Sequence, residues 1–217
     1  MTHQELRLLS ERYQSPWYRG YVKSKLRTDP LYPAVWVELD GNDLPLLDLG
    51  CGLGLLAFYL RHCGFKPAIL GIDYDQKKVI AAQKIADAHY PNTEFRHGDA
   101  REGIPQFQGS VTILDILQFF QAPEQEQLLR NAARSVAPGG QLVIRSGLLD
   151  DSWRFRITHA GDLLARATRW MKAAPTCYPT RDSICDTLES EGLQGTVTPL
   201  WGRTPFNNFL ISYRRAR

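Results

Sequence analysis

From about residue 44 onward, two patterns of apolar residues take turns along the chain. Short continuous apolar runs alternate with segments whose apolar positions recur every third or fourth residue. The first pattern fits strands buried on both faces, and the second fits helices lying against them. The runs predict strands at 44–49, 67–73, 93–97, 111–117 and 141–145. The periodic segments predict helices at 53–63, stopped by Gly64, and at 75–89, opened by an acid and closed before Pro91. A third helix is predicted at 123–136, with Pro123 at its start and Pro138-Gly139-Gly140 after it. Two more helices are predicted at 161–172 and 181–190, followed by strand-like segments near Val197 and Phe209. Seven strands with crossover helices give an α/β, doubly wound, mostly parallel Rossmann-like sheet with helices on both faces.

Residues 1–43 precede this alternation. They begin as an amphipathic helix and continue into an aromatic-basic stretch, Tyr13 to Arg27, that contains Trp17, Tyr18, Arg19, Tyr21, Lys23 and Lys25. We expect an N-terminal helical extension at 1–43, serving as a lid or acceptor side, ahead of a ligand-binding domain at 44–217. No internal repeat or low-complexity linker divides the chain.

Composition narrows the setting. The 217 residues suffice for one α/β domain with its own core. The net charge of +3 is too small to point to nucleic acid without clustering, so a nucleic-acid partner is not expected. No apolar run approaches the roughly 20 residues that span a bilayer. The start M-T-H-Q-E-L-R lacks an apolar signal core, so a cytoplasmic location is expected. The four cysteines have no paired C-x-x-C spacing, so reduced thiols and no metal site are expected. Oligomeric state is left open.

The most informative stretch is L-L-D-L-G-C-G-L-G-L-L-A at 46–57. A strand ends in an acid, and Gly50, Gly52 and Gly54 then lead into a helix. Such a loop brings backbone against a nucleotide-like ligand at the carboxyl edge of a parallel sheet. A G-x-G-x-x-A reading through Gly52, Gly54 and Ala57 would suit a dinucleotide. Asp48, however, would repel a pyrophosphate and attract a ligand carrying an ammonium and a sulfonium. S-adenosylmethionine is such a ligand.

The order D-L-G-C-G-L-G, G-I-D, G-D-A, L-D-I-L-Q and P-G-G-Q-L-V-I resembles class I S-adenosylmethionine-dependent methyltransferases over about 44–146. The resemblance implies that Gly50, Cys51, Gly52 and Gly54 line the cofactor and that Asp48 holds its ammonium. It also implies that Asp73 accepts both ribose hydroxyls, that Tyr74 packs on the adenine, and that Asp99 and the Ala100 amide read the adenine edge. Asp115 and Ile116 would lie near the methionyl moiety.

The residues after strand four exclude several reactions. Asp115-Ile116-Leu117-Gln118 lacks the N/D-P-P-Y/F loop of nucleobase amino-methyltransferases, and no second acid stands there as in spermidine-synthase-like enzymes. Nor is there a carboxylate cluster for a catechol-type metal site. A small organic acceptor remains. Trp153-Arg154-Phe155-Arg156-Ile157-Thr158-His159 and Thr204-Pro205-Phe206-Asn207-Asn208 bear a faint resemblance to bacterial methyltransferases of aryl-polyene pigment clusters. That likeness implies an acceptor held on an acyl carrier protein, an acidic partner that Arg154, Arg156, Arg166 and Arg169 would dock. If the acceptor is a phenol, with an ordinary pKa of about 10, a general base helps; His159 is the first candidate and His97 the second. Two alternatives to a small-molecule enzyme are a non-catalytic cofactor-binding regulator on the same fold and an RNA methyltransferase.

Overall fold

The computed structural model describes residues 2–167, 176–202 and 204–217. Residues 168–175, which hold Arg169 and the expected end of a helix at Lys172, lie outside them, as does the side chain of Arg166. The chain forms two units, Met1–Ala100 and Arg101–Arg217.

In the first unit, three helices precede the sheet: α1 (His3–Glu11), α2 (Pro16–Thr28) and α3 (Leu31–Leu39). The unit then alternates β1 (Leu46–Leu49), α4 (Leu55–Cys63), β2 (Ile69–Asp73), α5 (Gln76–His89) and β3 (Thr93–His97). The strands run parallel in the order β3-β2-β1, with Leu46 beside Ile69 and Ile69 beside Thr93. All four residues of β1 are buried, as a strand covered on both faces requires. The helix ends follow their sequence signals. Thr2 and Glu5 form a reciprocal capping box on α1, and the Asp75 side chain accepts the Lys77 amide at the start of α5. Gly64 closes α4 at φ 98°.

Arg61, near the end of α4, binds this unit together. Its guanidinium donates to the carbonyls of Phe65, Pro67 and Asn92 at 2.6–2.8 Å and to the Thr93 hydroxyl at 2.9 Å. Tyr90, just after α5, is a second junction. Its ring stacks on Phe58 at 4.7 Å, and its hydroxyl meets Arg12 Nη1 at 2.5 Å and His62 Nε2 at 2.9 Å. α1 is therefore tied to the sheet-packing helices through polar groups as well as through buried Leu6 and Leu9.

The second unit contains β4 (Ser110–Leu114), a 3-10 turn (Leu117–Phe119), α6 (Ala122–Arg134), β5 (Gln141–Gly147), α7 (Trp153–Ala167), α8 (Arg181–Ser190), β6 (Leu193–Pro199) and β7 (Asn208–Arg215). Its strand order is β4-β5-β7-β6; β4 and β5 are parallel, and β7 is antiparallel to both of its neighbours. The seven strands are thus those of the mostly parallel, Rossmann-like sheet that the sequence predicts. Two boundaries differ from expectation. β4 stops at Leu114 rather than running to 117, because Asp115 adopts φ 60° and turns the chain. α7 begins at Trp153 rather than at 161, because the Ser152 hydroxyl accepts the Phe155 amide and opens the helix early. Gly161 is then an interior helical residue whose missing side chain makes room for Phe206, 3.2 Å from where a Cβ would stand. No described helix is long and apolar enough to cross a membrane.

The α1 tie has a pH dependence. Burial holds His62 below its ordinary value, against the opposing pull of Glu5, and Arg12 pushes the same way as burial. The folded chain therefore binds a proton at His62 less readily than the unfolded chain. That stability is intact above about pH 6.5 and is lost as pH falls through the lower folded value. We expect the thermal midpoint to drop as pH is lowered below about 6.5, and His62→Gln to flatten that part of the profile. Identical profiles for the two proteins in a melting series would contradict this account.

Candidate functional site

The loop after β1 is shaped by three glycines, Gly50, Gly52 and Gly54, at φ 79°, 54° and 75°. Side-chain-bearing residues rarely adopt these values, so the alternation of glycine is a requirement of the path. The end of β2 holds the loop in place. The amides of Gly50 and Cys51 both donate to the Ile72 carbonyl, at 2.8 and 3.0 Å, and the Gly52 amide donates to Asp73 Oδ2 at 2.8 Å. On the other side, the Tyr13 hydroxyl donates to the Leu53 carbonyl at 2.6 Å. A methyl group on Gly52 would meet no atom within 4 Å, so open space lies beside it. A methyl on Gly54 would come within 2.5 Å of the Phe95 ring. Gly54 also caps α4 and has no side chain to satisfy that helix's first amides, which leaves them to an anion or water.

Carboxylates surround this loop. Asp48 is buried inside β1 at 2% exposure, and Asp73 ends β2 at 6%. Asp73 Oδ1 accepts the Asp75 amide at 2.8 Å, so each of its oxygens holds one backbone bond. A carboxylate oxygen can accept two, so both retain acceptor capacity. Asp99 and Ala100 follow β3 and are half-buried, Tyr74 is exposed, and the His97 ring nitrogen lies 3.1 Å from the Tyr74 carbonyl. Burial, reinforced by the charges of Asp48 and Asp73, pushes the Cys51 thiol well above its ordinary range. It stays protonated. The first unit therefore brings Asp48, the glycine loop, Asp73, Tyr74, His97, Asp99 and Ala100 to the carboxyl ends of β1, β2 and β3. Such an edge can accept hydrogen bonds from hydroxyl and amino groups and can hold a cation.

The remaining predicted residues lie in the second unit. Asp115 stands just past β4, where its backbone amide donates to the Arg145 carbonyl at 2.9 Å. Its carboxylate is held by both arms of the buried Arg145 guanidinium, the Nε–Oδ1 arm measuring 2.6 Å. Ile116 follows it, half-buried, at the start of the 3-10 turn. A paired carboxylate offers less net charge to a cationic ligand than a free one. The sequence reading does not name Arg145, although the signal is present: opposite charges close two adjacent apolar strands, L-D at Leu114 and I-R at Ile144. Gln125 is another residue not foreseen. Its buried side-chain amide donates to the carbonyls of Leu117, Phe120 and Cys177 at 2.8–3.1 Å. The Gln118 carbonyl accepts the amides of Thr176 and Cys177, so the segment leading to Tyr178 is docked on the loop after β4. His159 lies exposed on α7, within a ring cluster. Its imidazole stacks on Phe155 at 6.3 Å and meets the edge of Tyr178 at 5.9 Å.

Comparison with known proteins identifies the kind of domain this chain contains. Residues 46–140 match the family model described as a methyltransferase domain. A ribosomal protein L11 methyltransferase of Burkholderia vietnamiensis is 32% identical over 108 residues, 48% of this chain and 32% of that protein. Its counterpart in Hydrogenovibrio crunogenus is 32% identical over 141 residues, 64% of this chain and 42% of that protein. The chain thus spans well under half the length of these curated relatives. Among solved structures, magnesium protoporphyrin IX methyltransferase from Synechocystis with bound SAH superposes with a TM-score of 0.67 at 17% identity, covering 98% of this chain and 94% of that one. A mitomycin 7-O-methyltransferase gives a TM-score of 0.68 at 18% identity, covering 96% of this chain and 60% of that one. At these identities the likeness is one of fold. The family match together with the SAH-bound neighbours implies S-adenosylmethionine as the cofactor.

Gly54→Ala tests the loop geometry. The left-handed backbone and the Phe95 ring both oppose a Cβ there, so we expect a loss of about 2–4 kcal/mol in urea unfolding. A variant as stable as the parent would show that the loop can rearrange.

Proposed function

We propose that this chain, whose matched domain and fold are those of class I S-adenosylmethionine-dependent methyltransferases, is an active enzyme that methylates a small organic acceptor. The observation that carries the reading is the set of carboxylates at one strand edge, Asp48, Asp73 and Asp99, around a glycine loop that leaves open space at Gly52. This donor-seeking set suits the cofactor. Asp73 would take the ribose hydroxyls, Asp48 the ammonium, and Asp99 with the Ala100 amide the adenine edge, with Tyr74 against the ring. The uncapped start of α4 would take the carboxylate.

The cofactor supplies a methyl group already activated by its sulfonium. The chain's own task is then to align the acceptor and exclude water, which is worth several kcal/mol of barrier. An aromatic O-methylation is supported by the ring cluster of Phe155, His159 and Tyr178 on the second unit, in which His159 would take the phenolic proton. A carrier-bound acceptor is compatible with exposed Arg156 and with Arg154, which is pinned between Trp153 and Trp201. A protein acceptor is the second reading, favoured by the likeness to ribosomal protein L11 methyltransferases. RNA is a third, to be separated from both by salt-dependent binding.

Two measurements test this. Asp73→Ala should abolish binding of S-adenosylmethionine by calorimetry, and unchanged affinity would sink the site. With a phenolic acceptor, His159→Ala should lower kcat about 10²–10⁴-fold, with the loss relieved as pH rises toward the phenol's own pKa. A loss under tenfold at all pH values would remove His159 as the base. Tight cofactor binding without transfer of labelled methyl to small molecules, protein or RNA would favour a regulatory protein over an enzyme.

A further inference from the structure

The glycine loop is tied down from two directions. Ile72 and Asp73, at the end of β2, hold the amides of Gly50, Cys51 and Gly52. The tie from outside the strand–helix alternation is the Tyr13 hydroxyl, which donates to the Leu53 carbonyl between Gly52 and Gly54. Tyr13 is 1% exposed, and burial pushes its hydroxyl well above the usual phenol range, so the proton it donates stays in place at physiological pH. The residue sits at the corner between α1 and α2. Its own carbonyl accepts Arg19 Nε at 2.7 Å, and its ring meets Tyr18 edge-on at 6.4 Å. The corner is therefore held on both sides of Tyr13 and is inserted against the most deformable backbone in the unit.

Three glycines within five residues give the loop little stiffness of its own. A ligand that binds it must either find the loop already shaped or lose affinity to the cost of ordering it. We infer that Tyr13 is a positioning residue that holds the glycine loop in its ligand-ready shape, so that the N-terminal helices set cofactor affinity without touching the cofactor. The inference rests on the reading that this loop holds S-adenosylmethionine. It assigns the N-terminal extension a function separate from covering the acceptor, and it gives a specific role to the first residue of the aromatic-basic stretch.

The test is Tyr13→Phe, which keeps the buried ring and removes one hydrogen bond. Calorimetry with S-adenosylhomocysteine, far below the melting temperature, should show affinity weakened about five- to twentyfold, the range expected for one lost buried hydrogen bond. Support for the fold alone would lower the midpoint and leave affinity within twofold of the parent, and that result overturns the inference. Should Tyr13→Phe fail to fold, Arg19→Gln decides. It loosens the Tyr13 backbone from an exposed position and should weaken affinity by about two- to fivefold; unchanged affinity again overturns the proposal. If the parent protein itself does not bind S-adenosylhomocysteine, the functional reading above fails, and the positioning claim is read instead from amide exchange at Gly52 and Gly54. Faster exchange in Tyr13→Phe sustains it, and unchanged exchange rejects it.

Discussion

The Asp73–Gly52 hydrogen bond is the interaction on which the first unit's ligand edge depends. A loop of alternating glycines samples many more conformations than ordinary backbone, and one carboxylate at the end of β2 removes part of that freedom. The same carboxylate accepts the Asp75 amide and so sets the start of α5. One side chain thus fixes a loop on one strand and a helix on the next, while keeping lone pairs for a ligand. β2 can serve as this anchor because it is itself closely backed: a Cβ on Gly71 would lie 2.5 Å from the Phe95 ring and 2.9 Å from the Cys51 Cβ. The missing side chain at Gly71 lets Phe95 fill the space beneath both β2 and the loop.

The second unit solves a different problem. Asp115 turns the chain with a φ of 60°, a region that Asp tolerates better than most residues but not without strain. The bidentate grip of Arg145 holds it there and pairs the guanidinium buried in β5 with a carboxylate. The pair accounts for a cation within a fully buried strand, and it also fixes where the loop toward Gln118 begins.

Much of this was legible in the sequence, for physical reasons. The strand runs, the helix stops at Gly64 and before Pro91, and the glycine loop with its acids each answer to local rules that tertiary packing reinforced. What escaped notice depends on partners far apart in the chain. Tyr13 reaches Leu53, and Gln125 reaches Cys177; nothing in either residue's neighbourhood announces the bond. α3 falls inside the helical extension expected at 1–43, and Pro33 stands in its first turn, where a helix tolerates it. The early start of α7 was hidden by Gly161, which looks like a boundary and is a packing site.

The placement of β7 has a consequence for how the chain is made. β7 lies between β5 and β6, so residues 141–147 pair with residues 208–214. Every residue of β5 is buried once that pairing exists. During translation, at about 5–20 residues per second, the stretch from 148 to 207 takes several seconds to emerge. For that interval an apolar strand waits with its hydrogen-bonding edge open, the state in which nascent sheets are most prone to join a neighbour's. A cell making this protein has reason to shield it there, between one strand and the next.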